Sequence, residues 1–149
     1  ILSFTTEEIF QIIYQEQNSS IHLQDFPKIP IKWKNEIISE KWEKFKVIRK
    51  VVNAGIEVKR TNKDIGSSLE ADVEIHLNKD YLKIVQDIDL SENLITSKAT
   101  AKELNNNNSL FKLDENEGIN VLVIKAEGVK CQRCWKIFSG PCLRCESSN

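Results

Sequence analysis

Every cysteine of the 149-residue chain lies in one of two closely spaced pairs near its end, Cys131-Gln-Arg-Cys134 and Cys142-Leu-Arg-Cys145. Two intervening residues let both thiolates of a pair turn toward one metal ion at ~2.3 Å, and two such pairs supply the four ligands of a tetrahedral zinc site. Trp135 to Pro141 separate the pairs, enough for a tight hairpin, with Gly140-Pro141 as the turn that folds the second pair over the first. Four sulfurs leave no open coordination position, so the expected Zn2+, one ion held by Cys131, Cys134, Cys142 and Cys145, is structural and activates no water. The competing chemistry is disulfide bonding. It belongs to secreted chains, and this sequence shows no signal peptide and gathers its cysteines in one terminal cluster, so metal is favoured and a cytoplasmic location expected.

Lys130, Arg133, Lys136 and Arg144 surround the pairs, with Glu146 as the nearby acid, and Trp135 follows a ligand directly. Cations interleaved with an exposed aromatic suit phosphate contact and base stacking. The alternative is that Trp135 packs over the metal as a miniature core.

Charge is segregated along the chain although the net charge is only -1. Residues 1–27 carry four acids and no Lys or Arg, whereas residues 28–63 carry eleven bases against four acids. Residues 64–127 hold thirteen acids against six bases, and residues 128–149 return to four bases against one acid. A polyanion would be drawn to the second and fourth blocks and repelled by the third, which points to nucleic acid; the other reading is a solvated helix face. No apolar run reaches the ~18 residues of a membrane span. The chain begins at Ile1 and contains no methionine. It is therefore expected to be a piece of a longer translation product.

Along the chain, Thr5 and Thr6 precede Glu7-Glu8 and the apolar series Ile9, Phe10, Ile12, Ile13 and Tyr14, the pattern of a capped amphipathic helix. Ser19 to Pro27 alternates and reads as extended, with His22 as a surface or hydrogen-bonded histidine. From Ile31 to about Arg60, Trp33, Ile37, Ile38, Trp42, Phe45, Ile48, Val52 and Ile56 recur three to five residues apart, one stripe on a helix of about 28 residues such as a bundle would hold. Gly66 marks a tight turn. Asp72 to Leu77 alternates as a strand with His76 on its polar face, Asn78 to Ile88 reads as a short helix, and Leu94–Ser97 and Val121–Ile124 are candidate strands. Asn105 to Asn108 reads as a loop.

Several of these residues together carry a family likeness. Arg49, Val52, Ile56, Glu57 and Arg60, then Ile65-Gly66-Ser67-Ser68-Leu69-Glu70-Ala71, resemble the end of the anticodon-binding region of bacterial-type isoleucyl-tRNA synthetases. Ile1 to Phe10 resembles the helix start before it, Ser20 to Pro27 the segment that follows that helix, and Lys125-Ala126-Glu127-Gly128 with Lys130 to Trp135 the approach to the family's zinc knuckle. The matches are collinear over nearly the whole chain.

The resemblance implies an α+β architecture: the end of a helical anticodon-binding bundle (residues 1–63), a small α+β unit (64–127) and a C-terminal four-cysteine zinc ribbon (128–149). It also implies a class I ligase that uses ATP to attach isoleucine to tRNA(Ile). The ATP chemistry would belong to an upstream catalytic domain, since no His-x-Gly-His or Lys-Met-Ser-Lys-Ser type motif occurs in this sequence, and the editing domain would likewise lie upstream. The chain would bind the anticodon stem and loop through Arg49 and Arg60 on the helix and Lys130, Arg133, Trp135, Lys136 and Arg144 on the knuckle, as a monomer with no membrane contact. Glu57 and Arg60 stand i, i+3 and can instead pair with each other. Two other readings remain: a DNA-binding zinc module like that of formamidopyrimidine-type glycosylases, and a zinc ribbon for protein contacts.

Overall fold

The computed structural model describes residues 2–15, 19–104 and 110–146, and the chain divides into two compact units, Ile1–Asn35 and Glu36–Asn149. In the first, helix α1 spans Ser3–Tyr14. Its start differs from the sequence expectation: Leu2 is the N-cap and makes no side-chain cap, while the Thr6 hydroxyl bonds backward to the Leu2 carbonyl at 2.9 Å. A threonine that can satisfy its hydroxyl on the preceding turn need not stand at the cap. The segment after α1 also departs from a simple extended run, because Ile21–Leu23 forms a 3-10 turn capped by the Ser20 hydroxyl. His22 is exposed and its Nε2 lies 3.2 Å from the Ser3 carbonyl.

Glu7 joins this turn to the helix. Its carboxylate accepts from Gln11 Nε2 at 2.8 Å, Ser20 Oγ at 2.7 Å and the Ile21 amide at 3.0 Å. The Gln11 bond first, then that of Ser20, holds the Glu7 carboxyl below its ordinary pKa, against a smaller opposing effect of desolvation.

In the second unit, α2 spans Glu36–Thr61. It starts later than the periodicity suggests, because Ile31–Trp33 forms a separate 3-10 turn after Pro30, whose backbone is extended. The apolar stripe of α2 divides in two. Phe45, Ile48, Val51, Val52 and Ile56 are at most 3% exposed, whereas Ile37 is 82%, Ile38 51% and Trp42 39% exposed. The buried half packs on a sheet and on the helix that follows its central strand. Gly55 permits the close approach: a Cβ there would meet Phe111 Cδ1 at 3.2 Å and Val123 Cγ2 at 3.3 Å. Just past the end of α2, Lys63 takes the left-handed conformation (φ 62). Asp64 N reaches the Lys59 carbonyl and Lys63 N that of Arg60, which satisfies the last carbonyls.

The chain continues through β1 (Ala71–Leu77), α3 (Lys79–Val85), α4 (Leu90–Asn93), β2 (Lys98–Glu103) and β3 (Ile119–Lys125). The sheet order is β2-β1-β3, with β1 parallel to β2 and antiparallel to β3. Ala71, Val73, Ile75 and Leu77 are at most 3% exposed. The opposite face of β1 carries Asp72, Glu74 and His76, and His76 Nε2 lies 2.7 Å from Glu74 Oε1. That face is drier than the alternation suggests, since His76 is 7% exposed.

A parallel pair needs a long crossover, here built from α3 and α4. The Asn78 side chain caps α3 through Tyr81 N at 3.0 Å, and that of Asp89 caps α4 through Glu92 N at 3.1 Å. The expected strand at Leu94–Ser97 is instead the turn that follows α4: Ile95 N bonds the Glu92 carbonyl, Thr96 N that of Ser91, and Ile95 takes φ 57. The Asp89 cap commits the chain to a helical turn that the β-branched residues then terminate, and β2 begins at Lys98. The candidate strand Val121–Ile124 is the middle of β3. The asparagine run 105–108 lies outside the described residues. No helix among the described residues is long and apolar enough to cross a membrane.

One prediction concerns Glu7. Because its folded-state pKa lies below that of an unfolded glutamate, its stabilising contribution is fully present above about 4.3 and is lost as pH falls through the folded pKa. Amide exchange of Ile21 is expected to accelerate as pH drops from 5 toward 3, beyond the intrinsic change. In Glu7→Ala that added acceleration should vanish, with protection already lost at pH 5.

Candidate metal centre and nucleic-acid interface

After β3, Val129–Lys130 (β4) pairs antiparallel with Ile137–Phe138 (β5), and the short helix α5 spans Leu143–Glu146. The first cysteine pair sits in the connection of this hairpin. Trp135 N bonds the Cys131 carbonyl and Cys131 N that of Lys136, both at 2.9 Å, so the chain turns tightly around Cys131. The second pair opens and closes a turn of its own, with Cys145 N on the Cys142 carbonyl at 3.0 Å. Gly128 allows the hairpin to close. It has φ 132, and a Cβ there would lie 2.1 Å from the Phe138 carbonyl oxygen.

The four sulfurs lie within 4.8 Å of one another, and Cys134 and Cys142 Sγ are 3.7 Å apart. A tetrahedron of zinc–sulfur bonds places sulfurs about 3.8 Å apart, while a disulfide requires about 2.05 Å. All four cysteines are free thiols. Backbone amides of Cys134 and then Arg133 lower the Cys131 thiol to about 6, whereas burial and then its sulfur neighbours push Cys145 up to about 12. Removing one proton thus makes the next harder to remove, the electrostatic problem that a divalent cation among four sulfurs relieves. The donor set and spacing therefore fit a metal ion.

The cations around the cluster have unequal surroundings. Arg133 is exposed, and Trp135 is 61% exposed on a backbone with φ 64, so Trp135 faces outward and is not a lid over the sulfurs. Lys130 lies 3.7 Å from Glu70 and Arg144 2.8 Å from Glu92. Lys136 departs from the expectation that it contacts RNA. Its side chain is 8% exposed, and its ammonium lies 2.6 Å from Glu92 Oε1 and 3.4 Å from Ser91 Oγ, which commits it to the protein. The Glu92 carboxyl is held below its ordinary pKa, chiefly by the Lys136 hydrogen bond.

On α2, Arg49 is exposed, and Arg60 pairs with Glu57 at 2.7 Å, as the i, i+3 spacing allowed. Arg49, Asn53, Glu57 and Arg60 form one wall of a groove of about 440 Å³ whose other side includes Leu94 and Ile95. The structure thus brings Arg49 and Arg60 together in one groove, and Arg133 and Trp135 together in one exposed turn. Sequence reasoning missed Glu70, Glu92 and Ser97, which receive the knuckle. Their partners are distant in sequence, so no local spacing signals them.

Gly128→Ala is expected to open the β4–β5 hairpin at a cost of roughly 1–3 kcal/mol, since the new methyl would meet a backbone carbonyl and the residue would keep an unfavourable φ. The result should be a lower melting temperature and faster loss of bound metal to a chelator, whereas Gly140→Ala, where a Cβ meets nothing within 4 Å, serves as the neutral control.

Comparison with known proteins adds the lineage of these features. Residues 1–75 match the sequence model of the family described as the anticodon-binding domain of tRNA ligase. The isoleucine--tRNA ligase of Pelagibacter ubique is 46% identical over 144 residues, covering 97% of this chain and 15% of that protein. Those of Agrobacterium fabrum and Ruegeria pomeroyi are 41% and 38% identical, over 92% and 99% of this chain and 14% and 16% of theirs. The chain thus spans about one seventh of the length of these curated relatives. With half of its residues inside the family match and the similarity running on through the cysteine cluster, the chain belongs to the anticodon-binding domain family of tRNA ligases.

Proposed function

We propose that this chain is the tRNA-docking part of an isoleucine--tRNA ligase, binding the anticodon stem and loop of tRNA(Ile). The observation that carries the reading is the exposed turn Arg133–Trp135, held on a four-sulfur cluster, in a chain whose similarity to isoleucine--tRNA ligases covers 97% of its length. An unstacked loop base has a π-face that suits Trp135, and a neighbouring phosphate suits Arg133. Arg49 on α2 offers a second phosphate contact, with Arg60 beside it in the same groove.

The metal is Zn2+ held by Cys131, Cys134, Cys142 and Cys145, and its task is structural because the sulfurs fill the tetrahedron. When bound, it neutralises the thiolates and joins the two pairs. The ATP-dependent attachment of isoleucine takes place in a catalytic part outside these residues, where the editing part also lies, with the protein acting as a cytoplasmic monomer. These assignments follow from the named activity of the relatives and from the chemistry of the donor set.

Fluorescence anisotropy with tRNA(Ile) and with the same tRNA carrying a swapped anticodon loop tests the reading. The zinc-loaded protein is expected to prefer the cognate loop, to lose affinity as salt rises and to weaken when zinc is chelated. Trp135→Ala should weaken cognate binding by about tenfold, within the ~1–3 kcal/mol of one stacked base. Equal binding to both RNAs would reject anticodon-loop recognition.

A further inference from the structure

Each oxygen of Glu92 takes one cation from the knuckle. Oε1 accepts from Lys136 Nζ at 2.6 Å and Oε2 from an Arg144 guanidinium nitrogen at 2.8 Å. The two cations come from different arms: Lys136 stands two residues after Cys134, and Arg144 lies between Cys142 and Cys145. One carboxylate on the body therefore grips both cysteine pairs. It is itself fixed, because Asp89 Oδ1 receives the Glu92 amide at 3.1 Å and the Ser91 hydroxyl at 2.9 Å.

A second contact sets the direction of the grip. The Ile137 amide donates to Ser97 Oγ at 2.6 Å, and that hydroxyl donates onward to the Leu69 carbonyl. The knuckle is thus held by a carboxylate and a hydroxyl from one short stretch, Glu92 within α4 and Ser97 in the turn before β2. Lys136 makes the arrangement demanding. Its side chain is 8% exposed, and an ammonium so far withdrawn from water requires its counter-charge.

We infer that Glu92 is a positioning residue that couples metal retention to the orientation of the knuckle. Gathering the sulfurs brings Lys136 and Arg144 to one carboxylate, and holding both cations keeps the two cysteine arms together. The coupling is reciprocal, as any linkage between two binding equilibria must be. Its second consequence rests on the proposed tRNA reading: by fixing the knuckle on the body, Glu92 sets where Arg133 and Trp135 point relative to α2.

The test uses the full zinc-loaded chain with Glu92→Gln, which keeps the shape and removes the charge. Zinc release to a colorimetric chelator is expected to accelerate about tenfold, a modest coupling. The NMR order parameter of the Trp135 indole N–H should fall while amide shifts of β1 to β3 stay in place. Cognate tRNA affinity should drop at unchanged metal stoichiometry. Glu103→Gln, which removes an exposed partner of Lys79, should change none of these.

Should Glu92→Gln fail to fold, the complementary Lys136→Met, Arg144→Gln pair leaves Glu92 in place and must show the same faster release and looser indole. Wild-type release with an unchanged Trp135 order parameter, in whichever variant folds, would overturn the coupling. Faster release together with no loop preference in the wild-type protein would uphold the clamp and remove the tRNA reading alone.

Discussion

The pairing of β1 on both of its edges is the constraint on which the larger unit rests. Its backbone groups are taken up by a parallel partner on one side and an antiparallel one on the other, so the strand offers no free edge. Ala71, Val73, Ile75 and Leu77 then form the floor against which the second half of α2 closes. The crossover and the cysteine hairpin attach to this frame through specific polar contacts. The hydrophobic effect builds the frame, and hydrogen bonds and ion pairs orient what hangs from it.

Charge segregation along the sequence acquires a different meaning once the chain is folded. Glu70 and Glu92, from the acidic middle block, meet Lys130, Lys136 and Arg144 from the basic end. Part of the alternation between blocks is therefore internal complementarity and is spent before any polyanion arrives. The field available to a polyanion is therefore weaker at the C-terminal block than the residue count implies, while Arg133 there is exposed.

What could be read in advance followed the range of each signal. The cysteine cluster was legible because its ligands lie within fifteen residues of one another and their spacing encodes their geometry. The stripe of α2 was legible as a face, but its limits were not, since Ile37, Ile38 and Trp42 share the period of Phe45 and Ile48 without sharing their burial. Periodicity names the side of a helix and not its neighbour. At Leu94–Ser97 the β-branched residues argued for a strand, and the Asp89 cap five residues earlier prevailed by setting a helical turn first. Lys136 reads as an RNA contact in the sequence because it stands among the cations beside the cysteine pairs and Trp135, while its partner Glu92 stands 44 positions away.

The mixed sheet also has a consequence for synthesis, which proceeds from the N-terminus. When β1, the crossover and β2 have left the ribosome, the second edge of β1 is still unpaired, because β3 comes later and beyond residues 105–109. Nascent chains at that stage carry a bare strand edge, a feature that makes incomplete folds prone to aggregate. The cysteine hairpin emerges after the sheet, and its docking onto Ser97 and Glu92 requires a crossover that is already folded. Docking of the hairpin is then a step that follows assembly of the crossover, so the Glu92 and Ser97 contacts, once made, report that the turn before β2 is already in place.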